Sequence, residues 1–572
     1  MRASSGANTV LKVRAIGGLH VVVLAWNFRA ALNVGAGALP NELKILQGFA
    51  IERTELDANG NEVERYMLRG IKRYRHKDEG MAAGTPVPLD EHPVQSFQWA
   101  DYTAKPGARY LYQVTPLDGQ PKNLQPRHGA ESVVDITTEA EVGGVNGAGT
   151  RHDIYFNRGV IGSQAYARKF HNADPDADNP ASPEMKWLSR GLFEGLLKFI
   201  ARAKDEHFAL RCAFYEFHYA PVAHALRRAV EAGADVKIIY DAESDYKVEN
   251  IQTLKEANLF HNDIQRPRTV TEGIRHNKFI VLLQDDTPVA VWTGSTNISA
   301  GGIFGHSNAG HAVWDGTTAQ AYLDYWTRLG QNLTPTKLRK PNREATPTPG
   351  GKTPKNSIVP LFSPRDEKDS VETLQWYADR MDEATRIMCF TVAFNLDELF
   401  QQVISKENDV LRYIVKDDPL ADGETIGQDR DVLFAGGAYL GQGVLANFLQ
   451  ERDNPLNSND YIHTKYLLVD PLGDDPLVVT GSANFSRPSQ RINDENMLVI
   501  RGNKRIADIY FGEFMRIFDH HYARYIVRIL TQDGTNDPNA GYLKEKAEEW
   551  VRPHFDKKSY KNKRRLYFTE EP

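Results

Sequence analysis

The sequence predicts an α/β protein in which two related lobes, each a mixed sheet flanked by helices, follow an N-terminal β-sandwich. Three observations support this fold class. Short alternating strands broken by Gly, Pro and Asn fill the region before residue 118, and strands alternate with helices in two later stretches. In addition, a set of polar residues in the first of these stretches recurs in the second at a constant distance along the chain.

The N-terminal region has the pattern of a small β-sandwich. Alternation of apolar and polar residues predicts strands at Val21–Phe28, Gly48–Arg53 and Arg109–Leu117. The segment from Trp99 to Val114 resembles the late strands of a fibronectin type III domain, in which alternate side chains point between two sheets. We expect this domain to act as a spacer or a docking surface without chemistry of its own.

Two stretches with little hydrophobic periodicity predict linkers. Residues 118–150 are rich in Gly, Asn, Thr and Glu, and the segment from Lys340 to Pro354 carries four prolines, which disfavours both helix and central strand. The predicted organisation is a sandwich at 1–125, a linker at 126–150, a first lobe at 151–339, a Pro-rich linker at 340–356, a second lobe at 357–530 and a basic C-terminal extension at 531–572.

The two long stretches between these linkers have the same order of predicted elements. In the first they are a strand, a helix, a strand, a helix and a strand at Asp153–Asn157, Trp187–Ala203, Phe208–Phe217, Pro221–Ala232 and Val236–Tyr240. In the second the same five elements fall at Ile358–Phe362, Val371–Ala384, Ile387–Phe394, Leu396–Ser405 and Val410–Val415. The two halves therefore look like two copies of one α/β unit, related by a pseudo-two-fold axis.

Composition excludes several classes of protein. A chain of 572 residues is too long for one ordinary core, and 41% hydrophobic with 25% charged residues is a globular composition. The net charge of −6 disfavours a strongly basic nucleic-acid coat, and two cysteines cannot form a disulfide framework. No apolar run approaches the ~20 residues that span a bilayer, and the first residues lack the order of a signal peptide. We therefore expect a cytoplasmic protein, with non-classical export left open.

A doubled set of polar residues carries the functional prediction. Each half contains a His and a Lys two positions apart, and then a Gly-Ser-x-Asn segment at the end of the next predicted strand. The residues are His276, Lys278, Gly294, Ser295 and Asn297 in the first half, and His463, Lys465, Gly481, Ser482 and Asn484 in the second. Each pair is separated by the same 187 positions, as from 276 to 463 and from 295 to 482. Chance does not keep so many identities in one register.

The spacing suits a phosphodiester site. On a strand, a His and a Lys two positions apart point to the same face, and the apolar residues that follow continue the strand into the core. Gly then permits a close approach at the turn, where Ser and Asn offer small hydrogen-bonding groups. If the halves pack around a pseudo-two-fold axis, two imidazoles, two ammonium groups and four small polar side chains converge.

These paired motifs resemble those of the phospholipase D superfamily, whose signature is HxK, four residues, Asp and then GSxN, twice in each active site. The resemblance covers roughly residues 153–530. It implies one active site between the two halves, attack on phosphorus by one His without a metal, a covalent phosphohistidine, and proton transfer by the other His. Water then resolves the intermediate, or an alcohol does so in transphosphatidylation.

The chemistry of the side chains agrees with this resemblance. Neutral imidazole is a good nucleophile near pH 7, and a second imidazole can protonate the leaving oxygen. The groups expected to hold the non-bridging oxygens are Lys278, Lys465, Ser295, Asn297, Ser482 and Asn484. No carboxylate or His/Cys cluster with metal spacing is evident near the motifs, so we expect neither a metal nor another cofactor, and catalysis that survives a chelator.

The sequence departs from the superfamily pattern in two places. Asp470 completes the second motif, whereas Leu283 occupies the corresponding place in the first, with Asp285 and Asp286 shortly after it. This Asp is generally structural in the superfamily, so we expect Asp470 to have a structural role and its absence from the first half to affect a hydrogen bond more than the chemistry.

The second departure concerns the acid that orients a catalytic His. Glu495 follows the second motif, but no acid lies between Asn297 and Trp314, where Asn308 and His311 are the candidates for that place. The resemblance implies that the acid of one half reaches the His of the other. Because a carboxylate stabilises a charged imidazole, we predict His276 as nucleophile, oriented by Glu495, and His463 as general acid and base.

Some residues outside the motifs have two possible interpretations. Cys212 and Cys389 lie on predicted central strands and are interpreted as packing residues rather than nucleophiles. Glu216, His218 and Tyr219 follow the first of these strands and serve either the local structure or substrate contact. The segment Arg552–Phe568 has seven basic residues interleaved with aromatic ones. We interpret it as a solvated extension first, and as a contact for nucleic-acid phosphates or anionic lipid second.

The leading prediction is a phospholipase D-like hydrolase of phospholipid headgroups, with possible contact to a membrane surface. Two copies in one chain make a complete active site without an oligomer, and the acidic balance does not favour nucleic acid. Two alternatives stay open at this point. One is a metal-independent nuclease that uses the same residues on DNA or RNA, and the other is an inactive scaffold whose β-sandwich binds a partner.

Overall fold

The computed structural model describes residues 1–7, 9–30, 39–77, 80–147, 149–393, 396–417, 431–440, 448–456, 462–532 and 541–570. Phe394, which was predicted to end a strand, lies outside these residues. None of the described helices combines the length and the apolar character that crossing a bilayer requires.

The N-terminal region is built from antiparallel sheets. Its strands are β1 (Arg2–Ser4), β2 (Leu11–Gly17), β3 (Val22–Phe28), β4 (Leu46–Leu56), β5 (Glu62–Met67), β6 (Arg69–Gly70), β7 (Val87–Pro88), β8 (Gln98–Asp101), β9 (Arg109–Gln120), β10 (Asn123–Pro126) and β11 (Ser132–Thr137), with a short helix α1 (Asn41–Lys44) and a 3₁₀ turn at Arg75–Lys77. One sheet has the order β1-β2-β3-β8, and the other has β10-β9-β4-β5 with β11 also on β9. The two sheets share one core, in which Trp26 packs edge-to-face on Phe49. The resemblance to a fibronectin type III domain stays a prediction.

The stretch predicted as the linker 126–150 contains a strand of this sheet. Strand β11 pairs with β9 from Ser132 to Thr137, and its alternate residues Val134 and Ile136 are buried. The prediction of a linker is therefore wrong for this part. The period of two in these six residues was obscured by the Gly-rich and Thr-rich sequence around them.

The first lobe contains seven strands and seven helices among the described residues. The strands are β12 (Arg151–Phe156), β13 (Phe208–Phe214), β14 (Asp235–Asp241), β15 (Gln265–Arg268), β16 (Lys278–Gln284), β17 (Thr287–Gly294) and β18 (Ala309–Trp314). The helices are α2 (Gln164–Phe170), α3 (Pro183–Ser189), α4 (Leu192–Ile200), α5 (Ala220–Glu231), α6 (Lys247–Glu256), α7 (Gly316–Gly330) and α8 (Pro335–Ala345), and one π turn spans Gly301–Gly305.

The second lobe repeats the arrangement of strands. They are β19 (Ile358–Ser363), β20 (Ile387–Val392), β21 (Leu411–Lys416), β22 (Val432–Gly436), β23 (Tyr466–Val469), β24 (Leu477–Gly481) and β25 (Glu495–Arg501). The described helices of this lobe are α9 (Glu367–Asp382), α10 (Glu398–Ile404), α11 (Arg487–Arg491) and α12 (Lys504–Gln532).

The two sheets have identical topology. Their orders are β12-β18-β17-β16-β13-β14-β15 and β19-β25-β24-β23-β20-β21-β22, so in each the first strand of the lobe lies beside the seventh. In both sheets the second, third and fourth strands run parallel and the other pairs are antiparallel. The structure thus confirms the predicted fold class of two mixed sheets flanked by helices behind N-terminal β-structure.

Two predicted elements differ from those observed. The single helix predicted over Trp187–Ala203 is interrupted at Arg190 and Gly191, which both have positive φ. The segment after Lys340 was expected to exclude helix, yet α8 continues through Pro341 to Ala345. Tertiary contacts outweigh the missing N–H of this proline. Leu338 is fully buried, and the buried amide of Asn342 donates to Pro364 O and accepts from Arg328.

The lobes meet along a buried polar and aromatic seam. The ring of Tyr325 on α7 stacks on Phe362 of β19 at a centroid distance of 4.4 Å. Asn496 of β25 is fully buried and donates to Asn277 Oδ1 (2.8 Å), while its own Oδ1 accepts from Thr293 (2.6 Å). These contacts fix the distance between the two motif-bearing strand ends.

The basic C-terminal segment is packed into the fold, not solvated as predicted. It forms α13 (Ala547–Val551), a 3₁₀ turn at Arg552–His554 and α14 (Tyr560–Phe568). Trp550 enters the core of the N-terminal sheets, and Phe568 is fully buried in the larger core beside Phe511. The charge pattern alone did not reveal this burial, because the partners come from residues far away in the sequence.

Candidate active site

The two HxK segments lie at equivalent ends of the two sheets. Strand β16 begins at Lys278 and β23 begins at Tyr466, so both histidines precede their strands, instead of lying on them as expected. In each segment the lysine Nζ donates to the carbonyl of its own motif histidine, at 2.6 Å for Lys278 and 2.7 Å for Lys465. The two segments therefore share one local conformation that turns the imidazoles out of the sheet toward the other lobe.

The GSxN segments leave the ends of the neighbouring strands β17 and β24. A side chain at Gly294 would place its Cβ 2.2 Å from Ala309 O, and one at Gly481 would place it 2.3 Å from Asn496 O. Only glycine fits this close approach. The following serines donate their backbone N–H to the same carbonyls, at 3.1 Å for Ser295 and 2.9 Å for Ser482.

A carboxylate of the second lobe contacts the histidine of the first. The buried Glu495 lies on β25, and its Oε2 is 2.9 Å from His276 Nδ1. Ser482 Oγ donates to the same oxygen at 2.7 Å. Because a carboxylate only accepts, Nδ1 carries the proton and Nε2 of His276 is left with its lone pair.

A neutral amide of the first lobe contacts the histidine of the second. His463 Nδ1 is 3.1 Å from Asn308 Oδ1 and 3.1 Å from Ser295 O. The orientation of the Asn308 amide is fixed, since its Nδ2 donates to Gly302 O at 2.7 Å. His463 therefore also carries its proton on Nδ1 and keeps the lone pair of Nε2.

Of the two candidates for the place of the missing acid, the structure selects Asn308. Asn308 precedes Glu495 by the same 187 positions that separate the motifs. His311 instead bonds His152 Nδ1 at 2.9 Å and Tyr510 at 3.1 Å on the far side of β18.

The two motif imidazoles face one cleft. Their ring centroids are 6.3 Å apart at an interplanar angle of 74°, and the exposed fractions are 4% for His276 and 8% for His463. A near-attack distance of about 3–3.5 Å on each side leaves room for a single phosphorus centre between the rings.

Burial sets the protonation of the site. It lowers the pKa of His276 to about 4, although Glu495 opposes this shift. It also lowers the pKa of His463 far below its ordinary value, and Lys465 acts in the same direction. The pKa of Lys278 falls to about 7, again through burial, while Glu495 and Glu216 raise it. Both imidazoles are therefore neutral in the free site near pH 7.

The two motif asparagines differ in their surroundings. The amide of Asn297 is buried and donates to Glu216, which lies just beyond the end of β13. Asn484 is half-buried, and no described acceptor binds its amide. In both residues Oδ1 is buried without a hydrogen-bond partner among the described residues.

Sequence reasoning missed two residues of the site. The ring of His306 packs against His463 at a centroid distance of 4.5 Å and a tilt of 42°, and burial lowers the pKa of this third imidazole to about 3. Tyr215 lies edge-on to His276 at 5.2 Å, with Lys278 Nζ over its ring at 5.2 Å. The repeat offered a signal for His306, because it precedes Asn493 by the same 187 positions and Asn493 contacts Glu495.

Asp470 lies outside the cleft and connects two strands of its sheet. Its carboxylate accepts from the backbone N–H of Thr385, Arg386 and Ile387 and so fastens the β23–β24 hairpin to the start of β20. In the first lobe Leu283 is buried, and Asp285 makes the corresponding contact by bonding His207 through its backbone and side chain.

The remaining candidates lie outside the cleft. Cys212 and Cys389 are free and fully buried, and burial raises the pKa of each thiol. Tyr219 donates to Ala177 O, and the ring of His218 packs against Tyr246. Within the described ranges, no group of three or more His, Cys, Asp and Glu side chains is placed to hold a metal ion.

Comparison with a family model finds one matching segment around each copy of the motifs. Residues 196–329 and 434–520 match the family model described as cardiolipin synthase, PLD-like domain. No curated protein gives a match.

Several solved structures are similar over part of the chain. Phosphatidylserine synthase from Haemophilus influenzae Rd KW20 is 14% identical over 61% of this chain and 91% of its own, with a TM-score of 0.42. The phospholipase D family member Nuc from Salmonella typhimurium is 19% identical over 32% of this chain and 95% of its own, with a TM-score of 0.22. Yeast tyrosyl-DNA phosphodiesterase is 10% identical over 52% of this chain and 83% of its own, with a TM-score of 0.31.

All of these TM-scores are below 0.5, so the assignment depends on the sequence match and the motifs. The family model matches one segment in each lobe, and each matched segment contains one HxK and one GSxN motif. These two segments therefore resemble the PLD-like domain of that family, and the resemblance includes both copies of the motifs.

Proposed function

We propose that the protein hydrolyses phosphodiesters of phospholipid headgroups through a phosphohistidine on His276. The observation that carries this proposal is the exchange of partners across the cleft, where His276 contacts Glu495 of the second lobe and His463 contacts Asn308 of the first. The two imidazoles therefore face one centre with different hydrogen-bond partners, a carboxylate for His276 and an amide for His463. Such a difference suits one histidine as nucleophile and the other as proton donor.

In the first step Nε2 of His276 attacks phosphorus and the bond from phosphorus to the leaving oxygen breaks. The imidazole gains positive charge in this step, and the carboxylate of Glu495 stabilises that charge. His463, protonated at Nε2, gives its proton to the leaving oxygen. Its neutral partner Asn308 stabilises the imidazolium less than a carboxylate would, which makes His463 the stronger acid.

In the second step His463 takes a proton from water, and the water oxygen attacks phosphorus while the bond from phosphorus to His276 breaks. The products are an alcohol and a phosphomonoester, and an alcohol in place of water gives transphosphatidylation. Since both imidazoles are neutral in the free site, His463 must take up a proton from solvent when the substrate binds, because the phosphate charge raises the pKa of an adjacent imidazole.

The phosphate oxygens are assigned to the side chains that ring the two imidazoles. Lys278 and Lys465 supply the positive charge, and the amides of Asn297 and Asn484 supply hydrogen-bond donors. The hydroxyls of Ser295 and Ser482, which were predicted to bind phosphate as well, donate to Asn308 and Glu495 in the free site and position those groups. Glu495 also receives the hydroxyl of Ser482, so one carboxylate aligns both a histidine and a serine.

The surroundings of the cleft favour a lipid over a nucleic acid. Burial raises the pKa of Tyr215, and the nearby carboxylates of Glu216 and the exposed Asp245 raise it further. Negative groups beside this ring, at the mouth of the cleft, repel a chain of phosphates. Val248, on the first turn of α6 two residues after Tyr246, is 70% exposed. An exposed apolar side chain at this position suits contact with a lipid surface.

A nuclease is the second candidate, and one observation favours it. The rings of Tyr215, Tyr246 and His218 form a continuous series, with centroid distances of 5.3 Å and 5.6 Å. Such a series can stack with bases of single-stranded nucleic acid.

One experiment separates these functions. Wild type, His276→Ala and His463→Ala are incubated in EDTA with mixed phospholipid vesicles, single-stranded DNA and duplex DNA, and His207→Ala serves as a control at an exposed histidine outside the cleft. We expect headgroup release by wild type and the control, loss of turnover in both cleft variants, and phosphate trapped on His276 when His463 is absent.

The other outcomes are equally informative. Cleavage of DNA alone would replace the lipid assignment by the nuclease, and phosphate on His463 would reverse the two roles. If no substrate is cleaved, the protein is a scaffold.

A further inference from the structure

A carboxylate outside both motifs reaches the phosphate-binding groups. Glu216 lies just past the end of β13 between Tyr215 and Phe217, in a segment held by Asn250. The fully buried side chain of Asn250 accepts from Phe217 N (2.6 Å) and donates to Tyr215 O (2.8 Å). Glu216 is therefore presented by a rigid segment, not by a freely moving loop.

The carboxylate binds a motif residue directly. Glu216 Oε1 accepts from the amide of Asn297, and Glu216 O accepts from Ile298 N at 3.1 Å, so the strand end and the GSxN turn are joined twice. No ion pair of the described residues includes Glu216. The half-buried side chain thus places a negative charge, outside any salt bridge of the described residues, beside a group that is expected to hold phosphate.

The charge of the cleft is balanced by this residue. At pH values below the pKa of Lys278, the two lysines contribute two positive charges, Glu495 and Glu216 contribute two negative charges, and burial keeps the imidazoles neutral. At every pH at which Glu216 is ionised, removing its charge makes the free cleft more positive by one unit. Both carboxylates raise the pKa of Lys278 against the larger effect of burial, so Glu216 acts within the electrostatic range of the phosphate site.

We propose that Glu216 is a specificity-determining residue that makes the cleft accept singly charged phosphodiesters and reject doubly charged phosphomonoesters. This inference rests on the proposed function, in which a diester is the substrate and a monoester the product. A diester carries one negative charge, whereas a monoester carries two above its second pKa of about 6. Each added charge meets the same repulsion from Glu216, so the residue weakens monoester binding more and promotes product release.

The test uses two probes of nearly equal shape and different charge. Dimethyl phosphate and methyl phosphate are titrated into wild type, Glu216→Gln and the control Asp245→Asn, with ³¹P NMR as a readout that covers millimolar affinities. Glutamine can still accept the amide of Asn297, so the variant removes charge and keeps the hydrogen bond. Asp245→Asn removes an exposed acid at the same mouth.

At pH 8 we expect Glu216→Gln to raise the affinity ratio of methyl phosphate to dimethyl phosphate about tenfold over wild type. The control should change this ratio less than twofold. At pH 5 both probes carry one charge, so the ratios of wild type and Glu216→Gln should converge. Wild type alone should also bind methyl phosphate relatively better at pH 5 than at pH 8, which keeps the test valid if the variant fails to fold.

The possible failures are distinguishable. An unchanged ratio in folded Glu216→Gln, or a ratio in wild type that does not respond to pH, overturns the role of Glu216 and leaves the proposed function intact. If neither probe binds any of the proteins, the cleft is not a phosphate site and the proposed function falls with the inference.

Discussion

The two lobes present the same strand ends to one cleft but support their histidines differently. His276 is held by a carboxylate from the other lobe, with Asn493 beside it, whereas His463 is held by the amide of Asn308, with the ring of His306 beside it. The backbone contacts of the two GSxN turns remain equivalent. The comparison shows that a duplicated scaffold can keep its geometry while equivalent positions carry different charge, a carboxylate at Glu495 and a neutral amide at Asn308.

This division has a direct chemical meaning. A carboxylate favours a charged imidazole, and an amide oxygen does so less. In the proposed mechanism, the lobe that carries the acid supports the histidine that becomes charged by bonding to phosphorus. The other lobe supports the histidine that is proposed to release its proton.

Removing the charge of Glu495 should produce the largest effect. We expect Glu495→Gln to lower turnover about 10²-fold, because the phosphorylated imidazole loses its anionic partner. Asn308→Ala should lower turnover about tenfold, since only a neutral acceptor is lost. Single-turnover headgroup release measures both, and equal losses would show that the lobes do not differ in the proposed way.

The two lobes should also differ in how much Asp470 and its counterpart Asp285 contribute to the free energy of unfolding. Asp470→Asn should lower the free energy of unfolding by about 2 kcal/mol, because an amide cannot accept all the N–H and O–H donors that the carboxylate holds. Asp285→Asn, at the exposed counterpart of this tie, should cost less than about 0.5 kcal/mol. Urea unfolding monitored by tryptophan fluorescence gives both values. A larger loss for Asp285→Asn would contradict the comparison.

Giving the first lobe an acid should make the two histidines more alike. In Asn308→Asp a carboxylate would face His463 Nδ1, and we expect the pKa of His463 to rise by at least about one unit, or about 1.4 kcal/mol. NMR titration of the imidazole signals, assigned with His463→Ala, measures the shift. Glu495→Asp keeps its charge and should leave the pKa of His463 nearly unchanged, so a similar rise in both variants would argue against a local effect.

Acid should destabilise the fold, and His306 should contribute to this effect. Burial holds its pKa at about 3, below the ordinary 6.5, so the unfolded chain binds more protons between these values. Stability is therefore fully present above pH 6.5 and falls as pH decreases toward the folded value. His306→Asn, which copies Asn493, should reduce the loss between pH 7 and pH 5 by about 2 kcal/mol. Thermal unfolding at several pH values measures it, and an unchanged loss would exclude His306 as a contributor.

Much of the fold was predictable because it depends on local pattern and repetition. Strands such as Ile358–Phe362 and Val236–Tyr240 were recognised within one residue at either end, since apolar runs between turn residues define them. The constant offset of 187 positions also indicated that the two lobes share one topology.

The site was predictable as a set of residues, but not in its details. The choice of Asn308 over His311 depends on which side of β18 each side chain faces, and the sequence left both open. His306 and Glu216 enter the cleft through a π turn and a strand end that no motif marks. Burial of the C-terminal segment and the helix through Pro341 likewise depend on tertiary partners that local propensity does not contain.

The placement of Trp550 against Phe49 and Phe97 has a consequence for synthesis on the ribosome. About 500 residues separate these partners along the chain. At a synthesis rate of about 5–20 residues per second, Trp550 is made roughly 25–100 s after the aromatic residues that it contacts. During that interval the nascent chain carries an uncovered apolar surface, which is a target for chaperones that bind such segments.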